Sequence, residues 1–209
     1  MENKLIVVSG FSGCGKGTLL DGLMALHPEI HIIKSYTTRP RRSETDYYTF
    51  VSKEEFLALR DKGKFLECNL YSGEWYGTPK DAVEQCFQVG AVPIVEIDPN
   101  GYKQILASPG IAQEQVLGLY VVADADTVYG RLCQRNTENT DKILKRLKTS
   151  LEECEAIPLY NATIANYELE KAVRTLEAAI FEQKLPTTVF DIAGYQARMK
   201  EIIAELEKH

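Results

Sequence analysis

The chain has 209 residues, with 24 basic and 30 acidic side chains and a formal net charge of −6 at pH 7. A composition that is 44% apolar and 26% charged is typical of a globular protein, and this length fits one domain or one core with a small inserted lobe. The acidic balance argues against a general nucleic-acid-binding protein, which usually carries a basic excess. No apolar run approaches about 18 residues, so we expect neither a membrane span nor a signal peptide.

The cysteines and histidines give no sign of a disulfide framework or a metal site. The five cysteines are widely spaced and include no Cys-x-x-Cys pair, which favours reduced thiols and a cytoplasmic protein. His27 and His31 are four residues apart, but Pro28 between them argues against a shared helical face. We therefore identify no set of protein metal ligands.

The first predicted elements are a strand, a glycine-rich loop and a helix. Residues 5–8 form a short β-branched run that is typical of a buried strand. Glycines and small residues dominate 9–17, and leucines then recur at helical spacing up to Pro28. This order of elements is the usual opening of an α/β fold.

Residues 10–18 read Gly-Phe-Ser-Gly-Cys-Gly-Lys-Gly-Thr and match the phosphate-binding pattern G-x-x-x-x-G-K. Glycines let backbone N–H groups converge on an anion, the following helix adds its positive end, and Lys16 adds a full charge. A plain glycine-rich turn is the alternative, but the strand before and the helix after favour a phosphate loop. Gly17 stands where a Mg²⁺-binding hydroxyl is usual, so the direct ligands of the metal stay open. The expected nucleotide-phosphate ligands are Gly10, Ser12, Gly13, Cys14, Gly15, Lys16, Gly17 and Thr18.

The rest of the chain divides into a β-rich segment and a series of alternating strands and helices. Residues 35–80 contain short alternating segments, turn residues and most of the aromatics, which indicates a small β-rich lobe with one helix near 54–62. Beyond it we predict helices over 80–89, 126–135, 138–155 and 168–184, strands over 91–98, 116–123 and 162–166, and a last amphipathic helix after Pro186. Such alternation predicts a parallel sheet with helices on both faces.

Arg39, Arg41 and Arg42 form a dense basic patch in an acidic protein. A guanidinium group matches two phosphate oxygens at once, so the patch is a candidate phosphate site. A solvated turn explains the residues equally well when they are taken alone. A phosphate loop by itself does not distinguish GTPases, motors and kinases, although the chain lacks the Asn-Lys-x-Asp guanine motif of switch GTPases.

An ordered set of short motifs resembles the guanylate kinase family over residues 5 to about 180. Each motif is weak alone, but their order and spacing together are specific. The motifs lie at 35–39, 48–51, 63–67, 76–79, 96–98, 131–138, 146–147 and Asn166. The resemblance implies an α/β phosphate-loop fold of three layers with a central parallel sheet, a small β-rich nucleoside-monophosphate lobe and a helical lid. It places the core at 1–34 and 81–184, the lobe at 35–80, the lid at about 131–150 and a helical extension at 185–209.

The resemblance also implies an activity, the transfer of the γ-phosphoryl group of ATP to GMP with Mg²⁺. In the family pattern the acceptor phosphate is bound by Ser35, Arg39, Arg41 or Arg42, Tyr48 and Tyr76. Guanine is read by Glu67, helped by Thr78 and by Asp98 or Glu96. A carboxylate suits guanine because N1–H and the 2-amino group are adjacent donors.

On the donor side the resemblance assigns catalytic roles to Lys16, Arg135 and Arg146, and it places Asn166 near the adenine or its ribose. Lid arginines neutralise charge on the transferring phosphoryl group, and the lid excludes water. The implied partners are the small molecules ATP and GMP, with no nucleic acid, no membrane and a monomeric or homodimeric state.

Two departures from the family pattern keep alternatives open. The stretch 37–50 is about three residues shorter than usual and lacks two glycines, and Asn136 replaces a common lid glycine. One alternative is a related kinase with another phosphorylated acceptor, such as a sugar bisphosphate. A second is a non-catalytic binding module, which retained Lys16, Arg135 and Arg146 argue against. The extension at 185–209 either packs on the core or forms a dimer contact.

Overall fold

The computed structural model describes residues 4–41, 48–71, 73–134 and 140–208. The chain divides into two compact units. The first unit comprises Met1–Val7 and His27–Leu117, and the second comprises Val8–Leu26 and Gly118–His209. The strands are β1 (Leu5–Gly10), β2 (Ile30–Ile32), β3 (Ser35–Thr37), β4 (Tyr48–Phe50), β5 (Phe65–Tyr71), β6 (Glu74–Pro79), β7 (Val92–Glu96), β8 (Val116–Val122) and β9 (Ala162–Ala165).

The helices alternate with these strands along much of the chain. They are α1 (Lys16–Leu26), α2 (Lys53–Asp61), α3 (Lys80–Gln88), α4 (Pro99–Ala107), α5 (Ala125–Gln134), α6 (Thr140–Glu153), α7 (Leu169–Phe181) and α8 (Ile192–Leu206). Short 3₁₀ segments lie at Gln113–Gln115 and Cys154–Leu159. Within the described part of the chain, no helix is both long and apolar enough to cross a membrane.

A central parallel sheet has five strands in the order β2-β7-β1-β8-β9. In the first unit β2 pairs with β7 in parallel register, and in the second β8 pairs with β9 in the same sense. β1 and β8 are buried along almost their whole length, as expected for strands that are covered on both faces. The carboxyl ends of parallel strands lie on one edge, which is where α/β proteins bind ligands.

The first unit contains a second sheet of four strands in the order β4-β3-β6-β5. β3 and β4 are parallel, whereas β6 is antiparallel to both β3 and β5. Phe56 from α2 is fully buried and stacks on Phe65 at a ring-centroid distance of 4.7 Å and on Trp75 at 5.8 Å. The start of α2 is fixed by a capping box between Ser52 and Glu55. All four strands fall inside the predicted lobe at 35–80.

In the second unit, α1 packs against α7, and α8 packs against both α5 and α6. α1 buries Leu19, Leu20 and Leu23, the leucines whose helical spacing predicted it. Asp191 begins α8 by accepting a hydrogen bond from the Gly194 amide at 2.9 Å.

Most predicted elements are confirmed within a few residues. Two further elements, β2 and α4, were not predicted from the sequence. β2 has only three residues, too few for any periodicity to show. The strand predicted over 91–98 ends at Glu96, because Asp98 instead caps α4 and Pro99 occupies its first position. An Asp-Pro pair before a helix is a recognised start signal, so this sequence did contain a cue for α4. The division into core, lobe, lid and extension stays a prediction.

Candidate active site

The predicted phosphate loop joins β1 to α1 in the second unit. Gly13 and Gly15 have φ values of +91° and +86°, a region that only glycine enters without strain. Lys16 Nζ lies over the loop and donates hydrogen bonds to the carbonyl oxygens of Gly10 at 2.7 Å and Phe11 at 3.3 Å. These carbonyl contacts hold the ammonium group at the loop. From this position the ammonium group can exchange its carbonyl partners for an anionic ligand.

Two side chains from outside the loop fix its backbone. The Asn166 amide, at the end of β9, donates to the Cys14 carbonyl at 2.8 Å. Arg131 on α5 donates to the same carbonyl at 3.1 Å and to the Asn166 carbonyl at 3.1 Å. A Cβ atom at Gly15 would lie 2.7 Å from Asn166 Nδ2, so the close approach of the amide requires glycine there. The loop is therefore held by contacts to two distant segments.

Arg146 on α6 also reaches the phosphate loop. Its Nη1 donates to Ser12 Oγ at 2.6 Å, which places a guanidinium group beside the loop. Arg135, the other predicted lid arginine, lies outside the described residues. Gly17 and Thr18 are exposed on the first turn of α1, and Cys14 is fully buried.

Arg131 is a site residue that the sequence analysis did not assign. It belongs to the Arg-x-x-x-Arg motif at the predicted lid, so the motif was recognised while the role of its first arginine was not. For Asn166, the structure shows a buried amide that supports the loop, and the predicted contact with adenine or ribose stays a prediction.

The residues predicted to read guanine lie in the first unit, on neighbouring strands of the four-stranded sheet. Glu67 on β5 is directly opposite Thr78 on β6, so the two side chains share one face of the sheet. Thr78 Oγ1 donates to Glu67 Oε1 at 2.7 Å. Both side chains are buried, Glu67 with an exposed fraction of 4%. A carboxylate so deeply buried points to a ligand with complementary donors.

Burial raises the pKa of Glu67 from 4.5 to about 7. The hydrogen bond from Thr78 partly offsets that rise, and the negative charge of Asp98 adds to it. The shift costs the folded protein free energy whenever Glu67 is charged. A carboxyl group that titrates near neutral pH in a buried position is typical of a functional site.

Asp98 shows how the second acidic residue of this site is held. Its Oδ1 accepts from the amides of Asn100 and Gly101 at the start of α4, at 2.8 and 2.9 Å. Its Oδ2 accepts from Asn69 Nδ2 at 2.8 Å. A Cβ atom at Gly101 would lie 2.9 Å from Glu67 Oε2, so glycine is needed for Glu67 to sit against the first turn of α4.

Asn69 and Gly101 were not predicted as site residues. Neither had a sequence signal of its own, because each acts only through the three-dimensional contact with Asp98 or Glu67. Glu96, the alternative to Asp98 in the sequence prediction, is exposed at the end of β7.

The predicted acceptor-phosphate residues are also brought together by the four-stranded sheet. Ser35 on β3 pairs directly with Tyr48 on β4. The Arg39 guanidinium lies 4.9 Å from the centre of the Tyr48 ring, and the rings of Tyr48 and Tyr76 meet edge to face at 5.7 Å. Arg39 is 8% exposed, which is unusual for arginine and indicates a group held for a purpose other than solvation.

Arg41 is the second arginine of the basic patch that lies among the described residues. Arg41 is exposed, and its guanidinium lies 4.9 Å from the centre of the Phe50 ring, which also carries Arg39 at 5.5 Å. Arg42 lies outside the described residues. The first unit therefore presents two guanidinium groups around one aromatic cluster.

Comparisons with known proteins identify the family of this chain. A family model described as guanylate kinase matches residues 2–183. The chain belongs to the guanylate kinase family. Curated relatives named guanylate kinase include those of Thermosynechococcus vestitus, 38% identical over 182 residues, and Trichormus variabilis, 35% identical over 184 residues. The matches cover 85% and 86% of this chain and 93% and 90% of those relatives.

A solved structure shows the same fold. The crystal structure of guanylate kinase from Anaplasma phagocytophilum superimposes with a TM-score of 0.66 at 21% sequence identity, and covers 96% of this chain and 93% of that one. The family resemblance and the α/β fold class predicted from the sequence are thereby confirmed. In this guanylate kinase family member, α8 lies beyond the residues that the family model matches.

Proposed function

We propose that this guanylate kinase family member transfers the γ-phosphoryl group of ATP to GMP, giving ADP and GDP. One observation carries the choice of acceptor: Glu67 is a buried carboxylate held by Thr78 at 2.7 Å, in the lobe that the family uses for the monophosphate. Relatives at 35–38% identity carry the name guanylate kinase, which supports the same reaction here.

Base selectivity follows from the chemistry of Glu67. Guanine presents N1–H and a 2-amino group side by side, and a carboxylate supplies two acceptors to match them. Adenine presents an N1 acceptor at the corresponding edge, so AMP would set a lone pair against a buried negative charge. Leaving a buried polar group unpaired is how a site discriminates strongly between substrates.

The acceptor phosphate is proposed to bind Arg39, Tyr48 and Tyr76, with Ser35 and either Arg41 or Arg42 as further ligands. The aromatic rings restrict the Arg39 side chain, so less conformational entropy is lost when it binds a phosphate. Arg39, Tyr48 and Tyr76 lie close together in the first unit, which supports a phosphate site there.

The donor nucleotide is proposed to bind the phosphate loop. Lys16 would exchange its carbonyl partners for the β- and γ-phosphates, and the loop amides and the start of α1 would bind the same anions. Arg146 and Arg135 would neutralise charge on the transferring group. No general base is assigned, since positioning and electrostatic stabilisation supply most of the catalysis in phosphoryl transfer.

Mg²⁺ is proposed to enter with ATP. In kinase sites this ion is held largely by substrate phosphates and water, so few protein ligands are needed. Bound there, it supplies positive charge to the β- and γ-phosphates. The exposed Thr18 hydroxyl on the first turn of α1 is the chain's candidate for a contact near the phosphates. A monomer or homodimer and a cytoplasmic location stay predictions.

The test is an ADP-release assay with ATP and Mg²⁺ and, separately, GMP, dGMP, AMP, CMP and UMP. Turnover with GMP, alone or with dGMP, is the expected result. If none of the five monophosphates is turned over while ATP still binds, the proposal is contradicted. Phosphorylated sugars would then be tested as acceptors. A chain that binds GMP but turns over nothing would instead be a binding module. Lys16→Ala serves as the negative control, because any ADP that it releases comes from a contaminant.

A further inference from the structure

Tyr195 on α8 contacts two parts of the donor site at once. It is buried, with an exposed fraction of 4%. It lies beyond the residues matched by the family model. Its ring contacts the phosphate loop, and its hydroxyl group contacts the helix that carries Arg146.

The ring of Tyr195 stacks on Phe11, a residue of the phosphate loop. The two ring centroids are 4.5 Å apart and the planes are nearly parallel, at 6°. Phe11 is fully buried and lies between Gly10, whose carbonyl accepts from Lys16, and Ser12. The stacked ring therefore supports the loop from its apolar side.

The hydroxyl group of Tyr195 is bonded to α6, the helix that carries Arg146. It donates to Ser150 Oγ at 3.1 Å, and the Ser150 hydroxyl donates in turn to the Leu147 carbonyl at 2.7 Å. Ser150 follows Arg146 by four residues, so both lie on one side of α6. The bond to Leu147 lies within α6 and orients the Ser150 hydroxyl. The buried, directional bond from Tyr195 joins the two helices, and it restrains rotation of α6 about its axis.

The two contacts close a ring of interactions through the site. Arg146 Nη1 donates to Ser12 Oγ at 2.6 Å, and Ser12 is the neighbour of Phe11 in the loop. The path runs from Phe11 to Tyr195, to Ser150, along one turn of α6 to Arg146, and back to Ser12. Tyr195 is the member that connects α8 to both α6 and the loop.

We propose that Tyr195 is a positioning residue for Arg146, which holds α6 at a set distance and rotation relative to the phosphate loop. The proposal rests on the proposed function, in which Arg146 acts on the transferring phosphoryl group. A displacement of about 1 Å in a catalytic group can cost about 100-fold in rate, so a fixed helix matters for this arginine.

Besides its buried apolar side chains, α8 makes two ion pairs with the neighbouring helices. Arg198 pairs with Asp126 on α5 at 2.8 Å, and Glu207 pairs with Lys148 on α6 at 2.6 Å, but these side chains are substantially exposed. Exposed ion pairs contribute little to stability and do not fix a helix precisely in rotation. They provide matched controls, since they attach the same helix without touching Arg146 or the loop.

The experiment compares Tyr195→Phe, Arg146→Ala and the double variant, with Arg198→Ala as control. Tyr195→Phe keeps the ring and loses only the hydroxyl, so the protein is expected to fold with a melting temperature near that of the parent. We expect kcat to fall about tenfold while KM for GMP stays within twofold. In the Arg146→Ala background the same change should alter kcat less than twofold, because the group that it positions is gone. Arg198→Ala should leave kcat unchanged.

A second measurement tests the positioning role of Tyr195 independently of which acceptor the protein phosphorylates. Amide hydrogen exchange in α6 should be faster in Tyr195→Phe than in the parent, with α7 unchanged. If the parent fails to phosphorylate GMP but α6 exchange still responds, the proposed function fails and the positioning of α6 by Tyr195 stands. Additive losses of kcat in the double variant, or unchanged exchange in α6, would overturn the positioning role.

Discussion

Asn166 donates a hydrogen bond of 2.8 Å to the carbonyl oxygen of Cys14, although the two residues are 152 positions apart in the chain. The first turn of the phosphate loop is thereby tied to the end of β9. Arg131 donates to the same carbonyl, so one loop oxygen accepts from two distant side chains. The shape of the donor site depends on residues that lie far outside its motif.

Asn166→Ala is expected to weaken ATP binding more than GMP binding. The change removes a buried donor to the Cys14 carbonyl, so we expect KM for ATP to rise about tenfold and stability to fall by about 1–3 kcal/mol. KM for GMP should change less than twofold. Steady-state kinetics with each substrate varied in turn, together with thermal unfolding, measures all three effects.

Asn161→Ala is the matched control. Asn161 Oδ1 accepts from the Gly118 amide at 2.8 Å, and the residue is exposed. Asn161→Ala should lose less stability than Asn166→Ala and should leave KM for ATP unchanged. An equal rise of KM in both variants would mean that Asn166 acts only through general stability.

Glu67→Gln is expected to stabilise the protein above neutral pH. The folded pKa of about 7 exceeds the unfolded value of 4.5, so the folded state binds more protons between these values and stability falls as pH rises through that range. The cost of the charged form is on the order of 3 kcal/mol above pH 7. The variant should gain stability relative to the parent at pH 8, and the gain should shrink towards pH 5. Denaturant unfolding at both pH values tests this, and a difference that does not change with pH would contradict it.

Binding of GMP should weaken as pH falls below 7. Protonation of Glu67 replaces one of its two acceptors with an O–H donor, which opposes the N1–H and 2-amino donors of guanine, so affinity should drop about tenfold between pH 8 and pH 6. Trp75, the only tryptophan, lies next to Tyr76 on β6 and offers a fluorescence signal for the titration. Glu67→Gln is the control, because ionisation of the GMP phosphate affects binding to both proteins equally. An identical pH profile for the two would rule out Glu67 as the titrating group.

Gly101→Ala is expected to raise KM for GMP several-fold with little effect on KM for ATP. The new Cβ would lie 2.9 Å from Glu67 Oε2 and would push the carboxylate out of place. Gly110→Ala is the control, because its Cβ would meet only ordinary contacts, with Ser108 Oγ at 3.5 Å. Normal KM for GMP in Gly101→Ala would show that Glu67 tolerates the displacement.

The phosphate loop could be predicted from the sequence because its chemistry depends on residues that are contiguous. Gly13, Gly15 and Lys16 are set by the motif, and the leucines of α1 show its helical face. The longer strands of the parallel sheet, such as β1 and β8, were also predictable, since burial on both faces makes them continuous apolar runs. Local patterns of this kind can be interpreted without knowledge of the rest of the fold.

The supporting residues could not be predicted in the same way. Arg131, Asn69 and Gly101 act through contacts with segments that are distant in sequence. The motif that contains Arg131 did not show its contact with the loop, and no local pattern distinguishes Asn69 or Gly101. Tyr195 is the clearest case, because it lies on an amphipathic helix where a buried aromatic residue is ordinary. Its role depends on the stacking against Phe11 and the bond to Ser150, which only the fold brings together.

The most direct measurement of the central claim compares kcat/KM for GMP and IMP in the parent and in Glu67→Gln. IMP lacks the 2-amino group, so it offers Glu67 one donor instead of two. We expect the parent to prefer GMP by about 100-fold or more, and the variant to lose most of that preference, because an amide supplies only one acceptor. A preference for GMP that is the same in both proteins would contradict the assignment of Glu67 as the residue that reads guanine.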